Sequence, residues 1–334
     1  MPTLPVDPSR PDPDAIARAA AALKAGGLVA FPTETVYGLG AHALDPDAVA
    51  RIFAAKGRPD YNPLIVHVAD AEAARGLAAE WSDAAERLAA AFWPGPLTLV
   101  VPKAGRVPDV VTAGLPSVAL RVPAHPVARA LLEAAGLPVA APSANRSTEV
   151  SPTTAAHVEK SLGDRVELIL DGGPTPVGIE STVVSLTGDA PLVLRPGTVS
   201  VDELRAVVPG VALAEARAER DAPRLSPGML DRHYAPRGEV RLFRAEERAR
   251  VQDDVYLAAL GGREVGAVVF TALQAPVARQ VALPPDPTEY ARGLYAALHA
   301  LDDAGCDLIL VEGVPEGAAW DGVRDRLRRA AHPR

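Results

Sequence analysis

The chain has 334 residues, 48% of them apolar and 23% charged, with a formal net charge of −8. That length suffices for about two domains with separate cores, and the acidic balance argues against a protein that wraps nucleic acid with its whole surface, leaving room for a local basic patch. One cysteine, Cys306 in GCDLILVEG, excludes an internal disulfide and a thiolate zinc cluster, while a start rich in Pro and Asp and apolar runs well short of ~18 residues predict a cytoplasmic protein with no membrane attachment.

Asp12 followed by Pro13, an N-cap and first-turn pair, opens AIARAAAALKAGG as a helix that Gly26 and Gly27 close, and the strand LVAF follows. FPTETVYGLG comes next and has two readings. In one it is an ordinary turn, with Thr33 and Thr35 bonding their own backbone; in the other its hydroxyls and N–H groups line a pocket for a small polar ligand. Asp45 and Pro46 start a second helix with Val49, Ile52 and Phe53 on its apolar face, and Gly57 stops it. Lys56 then sits in the last turn, where a cation favours the helix dipole. This accounts for Lys56 but not for the rest of KGRPDYNPLIVHV. Arg58 is held extended by Pro59, and a lysine point charge with an arginine fork on one turn fits polyphosphate binding, with Asn62 and His67 as orienting donors.

Further strands are predicted at LIVHV, LTLVV, SVALRV, PVAA, ELIL, STVVSL and LVL. Arg121 lies within the apolar SVALRV, so it needs either an internal carboxylate or a ligand's. APSANRSTEVSPTT places Ser143, Asn145 and Ser151 ahead of a helix, as caps or as phosphate and ribose ligands. GIESTVV ends a Gly-rich turn on Ser181, LRPG presents Arg195, and Ser200 with Glu203 forms a capping box. Roughly seven or eight short strands with interspersed helices result, in a mixed sheet, because STVVSL and LVL are joined only by a turn. Periodicity fails from Pro209 to Gly238, a connector, and EVRLF, VGAVVF and CDLILVEG then alternate with helices as a smaller, parallel three-layer α/β domain. The chain lacks a GxxxxGK[ST] phosphate loop, a GxGxxG turn after a strand, HExxH and GxSxG.

Eight motifs in order, PTETVYGLG, KGRPDYNPLIVHV, WPGPLTLV, LRVPAHPVA, APSANRS, SPTT, GIESTVV and LRPG, resemble the threonylcarbamoyl-AMP synthase family with its YrdC-like fold. SPGMLDRHYAPRG and the domain after it resemble the long, two-domain form. The resemblance implies an α/β architecture: a YrdC-like catalytic domain over residues 1–208, a connector or lid over 209–238 and a Rossmann-like α/β domain over 239–334. It implies synthesis of L-threonylcarbamoyl-adenylate from L-threonine, bicarbonate and ATP with release of pyrophosphate, for tRNA threonylcarbamoyladenosine modification. On this chain Thr35, His67, Arg121, Ser181 and the backbone at Ala141 would hold threonine. Arg58, Asn62, Ser117, Ser143, Asn145, Ser151 and Arg195 would hold ATP, with Lys56 near the phosphates, and Tyr234 would close over the nucleotide; Lys56 and Arg58 are the implied catalytic cations. Mg2+ would be bound through the ATP phosphates, with no metal ligand from the protein, and tRNA and a downstream threonylcarbamoyl-transferase complex are the further partners implied. The chain departs from the family pattern at Thr148 and Glu149, where a glycine is common, and at Ser185, where an aspartate is; the first departure bears on Ser151. The competing expectation is a YrdC-like RNA-binding module without synthesis, which the acidic charge disfavours.

Overall fold

A computed structural model describes residues 2–59, 61–214 and 232–333. It divides into two compact units, the first comprising Met1–Ser147, Pro152–Pro176 and Glu180–Met229 and the second Thr148–Ser151, Val177–Ile179 and Leu230–Arg334. Most of the expected connector, residues 215–231, lies outside the described residues.

The first unit runs β1 (Thr3–Pro5), α1 (Pro13–Lys24), β2 (Val29–Pro32), β3 (Tyr37–His42), α2 (Pro46–Lys56), β4 (Ile65–His67), α3 (Ala71–Arg75), α4 (Asp83–Phe92), β5 (Leu97–Pro102), α5 (Asp109–Thr112), β6 (Ser117–Arg121), α6 (Pro126–Ala135), β7 (Val139–Ala140), α7 (Ala155–Leu162), β8 (Leu168–Asp171), β9 (Thr182–Ser185), β10 (Leu192–Arg195), α8 (Val201–Val207) and β11 (Ala212–Leu213). Local chemistry sets the helix starts. Asp12 accepts from the Asp14 and Ala15 N–H groups, Asp45 does the same for Asp47 and Ala48, and Ser200 and Glu203 cap each other's backbone. α2 stops at Gly57, whose φ of 59° is a conformation that favours glycine.

The strands form one 11-stranded sheet in the order β1-β8-β2-β3-β7-β4-β6-β5-β9-β10-β11. It is mixed: β4 and β6 are parallel, while β2 with β3 and β9 with β10 are antiparallel. Both faces are covered. Along β2, Ala30 joins a core with Leu39, Ile52 and Leu88, whereas Val29 and Phe31 join a second core with Ile16, Leu23 and Leu131, as side-chain alternation requires. The sheet has more strands than the sequence predicts. β1 is three residues long and β11 two, and β3 begins inside FPTETVYGLG, one reading of which is an ordinary turn.

The second unit contains β12 (Glu239–Phe243), α9 (Arg248–Leu260), β13 (Val265–Val269), β14 (Arg279–Ala282), α10 (Pro287–Asp303), β15 (Leu308–Glu312) and α11 (Asp321–Ala330). Its sheet is wholly parallel in the order β12-β15-β13-β14. The two central strands are buried throughout and read as apolar runs, as a parallel sheet covered on both faces demands. β14 adds a strand that the sequence does not predict; it is an edge strand with mostly exposed residues and so carries no apolar signal. Among the described residues, no helix is long and apolar enough to cross a membrane.

Candidate active site

Strand register assembles the first cluster. β4 and β6 run parallel with His67 opposite Arg121, and His67 also faces Val139 on β7. Just past β7, the Ala141 N–H donates to the Ile65 carbonyl at 2.9 Å. Thr35, in the turn after β2, accepts from Arg121 Nη1 at 3.0 Å. Four of the five residues implied for threonine are thereby neighbours at the ends of β4, β6 and β7. The fifth, Ser181, stands at the start of β9: its Oγ lies 2.8 Å from Thr98 Oγ1, and the following Thr182 N–H reaches the Pro96 carbonyl at 3.0 Å, one residue from the Gly95 carbonyl that accepts from Arg121 Nε at 3.3 Å.

The electrostatics turn on a residue that the motifs do not single out. Glu34, buried between Thr33 and Thr35, places Oε1 2.7 Å from Arg121 Nη2. It is the internal carboxylate that Arg121 needs, and its presence means that the threonine carboxylate is not the sole candidate partner. Yet neither facing atom is aligned into a hydrogen bond. His67 is buried, edge-on to Phe31, with Nδ1 unpartnered. Burial, and then the positive Arg121, push its pKa down to about 3, so the ring is neutral at physiological pH.

Around the end of α2, Lys56 is buried and bends its ammonium onto the loop after β7, donating to the Ser143 carbonyl at 2.6 Å and to the Asn145 carbonyl, with Asn145 Oδ1 at 3.5 Å. Arg58 donates from Nε to the Asn62 carbonyl at 3.2 Å and from Nη2 to the Pro63 carbonyl at 2.9 Å. It therefore shapes the loop that presents Asn62. The Asn62 side chain is fully buried, and neither Oδ1 nor Nδ2 has a hydrogen-bond partner. Leaving such groups unpaired costs about 1–3 kcal/mol each, a cost that a bound polar ligand removes.

Arg195, at the end of β10, donates from Nε and Nη2 to the Ser181 carbonyl and from Nη2 to Ser181 Oγ at 3.1 Å, linking one residue implied for ATP to one implied for threonine. The approach is possible because residue 197 is glycine; a Cβ there would lie 2.4 Å from the Thr182 nitrogen. Ser117 sits at the opposite end of β6 from Arg121, paired with Pro102. Two of the residues implied for ATP belong to the second unit. Ser151 is fully buried, with its carbonyl 3.1 Å from His299 Nε2. Tyr234 is buried with φ of 59°, stacked on Tyr295 at 5.8 Å and facing Arg326 at 5.2 Å.

Glu34, Gly95 and Thr98 are the site neighbours that sequence reasoning missed. For Glu34 a signal existed: Arg121 required an internal acid, and FPTETVYGLG carries one. Among the described residues, no three His, Cys, Asp or Glu side chains are grouped to hold a metal ion.

A family described as Telomere recombination (Sua5, YciO and YrdC) matches residues 21–197, and the Threonylcarbamoyl-AMP synthase C-terminal domain family matches residues 199–332. A threonylcarbamoyl-AMP synthase of Pyrococcus abyssi is 45% identical over 94% of this chain and 93% of its own length, and one from Bacillus subtilis is 42% identical over 95% and 92%. The crystal structure of P. abyssi Sua5 complexed with L-threonine superposes with a TM-score of 0.93 at 43% identity, covering 99% of this chain and 98% of that one. With ordered motifs, a mixed sheet carrying the buried polar cluster, and relatives matched along nearly their full length, the chain belongs to the threonylcarbamoyl-AMP synthase family.

Proposed function

We infer that this chain makes L-threonylcarbamoyl-adenylate from L-threonine, bicarbonate and ATP, releasing pyrophosphate. The observation that carries the reading is the group of buried polar atoms without hydrogen-bond partners among the described residues, Asn62 Oδ1 and Nδ2 and His67 Nδ1, beside the buried Glu34–Arg121 pair, all in the unit of the mixed sheet. Buried donors and acceptors of this kind can pair with the polar groups of a substrate. The threonine ammonium gives up a proton to solvent, the free amine and bicarbonate give a carbamate and water, and a carbamate oxygen displaces pyrophosphate at the α-phosphorus of ATP. The nucleophile is already anionic, so positioning and charge stabilisation suffice and no strong base is needed.

On this reading Thr35, His67, Arg121, Ser181 and the Ala141 backbone hold threonine, His67 as a neutral imidazole. Lys56, Arg58, Asn62, Ser117, Ser143, Asn145 and Arg195 serve ATP, with Lys56 and Arg58 stabilising charge on the phosphates. The residues near Asn62 and Lys56 supply amide, carbonyl and cationic groups rather than carboxylates, a set that suits a Mg2+ ion carried on the phosphate oxygens. When bound, that ion neutralises charge on the departing pyrophosphate. The mixed anhydride product is prone to hydrolysis, which favours transfer to tRNA through a downstream threonylcarbamoyl-transferase complex.

Purified protein given ATP, Mg2+, bicarbonate and threonine should release pyrophosphate in a threonine-dependent manner. Release that persists unchanged without threonine would contradict the reading.

A further inference from the structure

Glu34 is not explained by a structural ion pair alone. Its Oε2 accepts from the Ala124 N–H at 3.0 Å, which fixes the carboxylate, and its Oε1 lies 2.7 Å from Arg121 Nη2. Arg121 is fixed in turn, through Nε to the Gly95 carbonyl and Nη1 to Thr35 Oγ1. A pair selected for stability aligns its donors and acceptors, often two at a time. Here the rest of each side chain is anchored to the protein, and the two facing atoms are left close but unaligned, each without a hydrogen bond. Both side chains are more than nine-tenths buried, so water does not compensate them freely. His67 Nδ1, also unpartnered, belongs to the residue opposite Arg121 in the sheet register.

We propose that Glu34 is a direct binding residue for the substrate's α-amino group, so that Glu34 and Arg121 together recognise both charges of the amino-acid zwitterion. The guanidinium meets the carboxylate and Glu34 Oε1 accepts from the amine. A ligand carrying only the anion satisfies Arg121 and leaves Glu34 uncompensated, so the pair selects amino acids against hydroxy acids of the same shape. This deepens the threonine reading given above and rests on it.

The test is calorimetric binding of two ligands, L-threonine and the 2,3-dihydroxybutanoate of matching configuration, to the wild-type protein and to Glu34→Gln. Wild type should prefer threonine by about 10- to 100-fold, the range of a charge-assisted hydrogen bond. Glu34→Gln should lose most of that preference by weakening threonine alone. An equal loss for both ligands would mean that Glu34 merely positions Arg121, and would overturn the proposal. Should the variant fail to fold, the structure of the wild-type protein with threonine decides: the amino nitrogen within hydrogen-bond distance of Glu34 supports the proposal, and a nitrogen held only by other groups overturns it. Wild-type protein that binds neither ligand would instead refute the threonine reading, and this proposal with it.

Discussion

The two units bury charge in opposite ways. In the second, Asp325 is enclosed by Arg326 at 2.9 Å, Arg329 at 3.0 Å and Arg328 at 3.1 Å, and Glu312 accepts both from Arg248 and from the Phe270 N–H. Burial alone would raise the Asp325 pKa, but the three guanidinium groups hold it below the usual carboxylate range. In the first unit, Asn62 and His67 are as deeply buried yet keep side-chain atoms without a hydrogen-bond partner, and the facing atoms of the Glu34–Arg121 ion pair are not aligned into a hydrogen bond. The closed network needs nothing further. The open one leaves donors and acceptors that a polar ligand can pair with. Tyr290, packed among Phe270 and Trp320, is a residue of the second unit whose hydroxyl has no hydrogen-bond partner among the described residues.

If that contrast is right, stability and activity should separate. Asp325→Asn removes the charge that three arginines share, and chemical denaturation should show a loss of about 3–5 kcal/mol, with threonine affinity of the folded protein unchanged. A large change in affinity would break the contrast.

His67 gives a pH test. Its native pKa is depressed to about 3, whereas the unfolded imidazole titrates near 6.5. Between these values the unfolded chain binds the extra proton, so stability is full above about pH 6.5 and falls as pH drops toward 3, by up to about 1.4 kcal/mol per pH unit. His67→Gln should flatten this part of the acid-unfolding profile. An unchanged profile would show that the imidazole is not held neutral.

Asn62→Leu removes two unpaired polar groups, so it should leave the denaturation midpoint unchanged or raise stability by about 1 kcal/mol, while ATP binding weakens at least about tenfold. Lower stability with ATP binding intact would place the amide in the frame of the fold instead of the site. The smallest effect should come from Ser200→Ala, which removes the cap of α8 and should cost about 1 kcal/mol with no effect on catalysis; a loss of activity there would join that helix to the site.

Part of the candidate site was legible in the sequence. Arg121 in an apolar strand announced a need for a carboxylate, and KGRPDYNPLIVHV brought Lys56, Arg58, Asn62 and His67 within a few residues of one another. What could not be read was how each is used. Lys56 satisfied the helix-dipole account, yet its ammonium turns to the carbonyls of Ser143 and Asn145. Motif order alone groups Ser151 and Tyr234 with the nucleotide residues, whereas they pack with the second unit. β3 was hidden because it begins in a segment that the sequence reads as a turn or a pocket lining, not as a strand.

The sequence by itself determined where helices begin and end, because Asp12, Asp45, Ser200 and Gly57 act on backbone groups within a few residues. It also determined the family, through the order of its motifs. Only the tertiary structure decided that Glu34 meets Arg121 and which of their atoms stay unaligned. That depends on strand register and on anchors at Gly95 and Ala124, contacts between distant parts of the chain that local preferences do not encode.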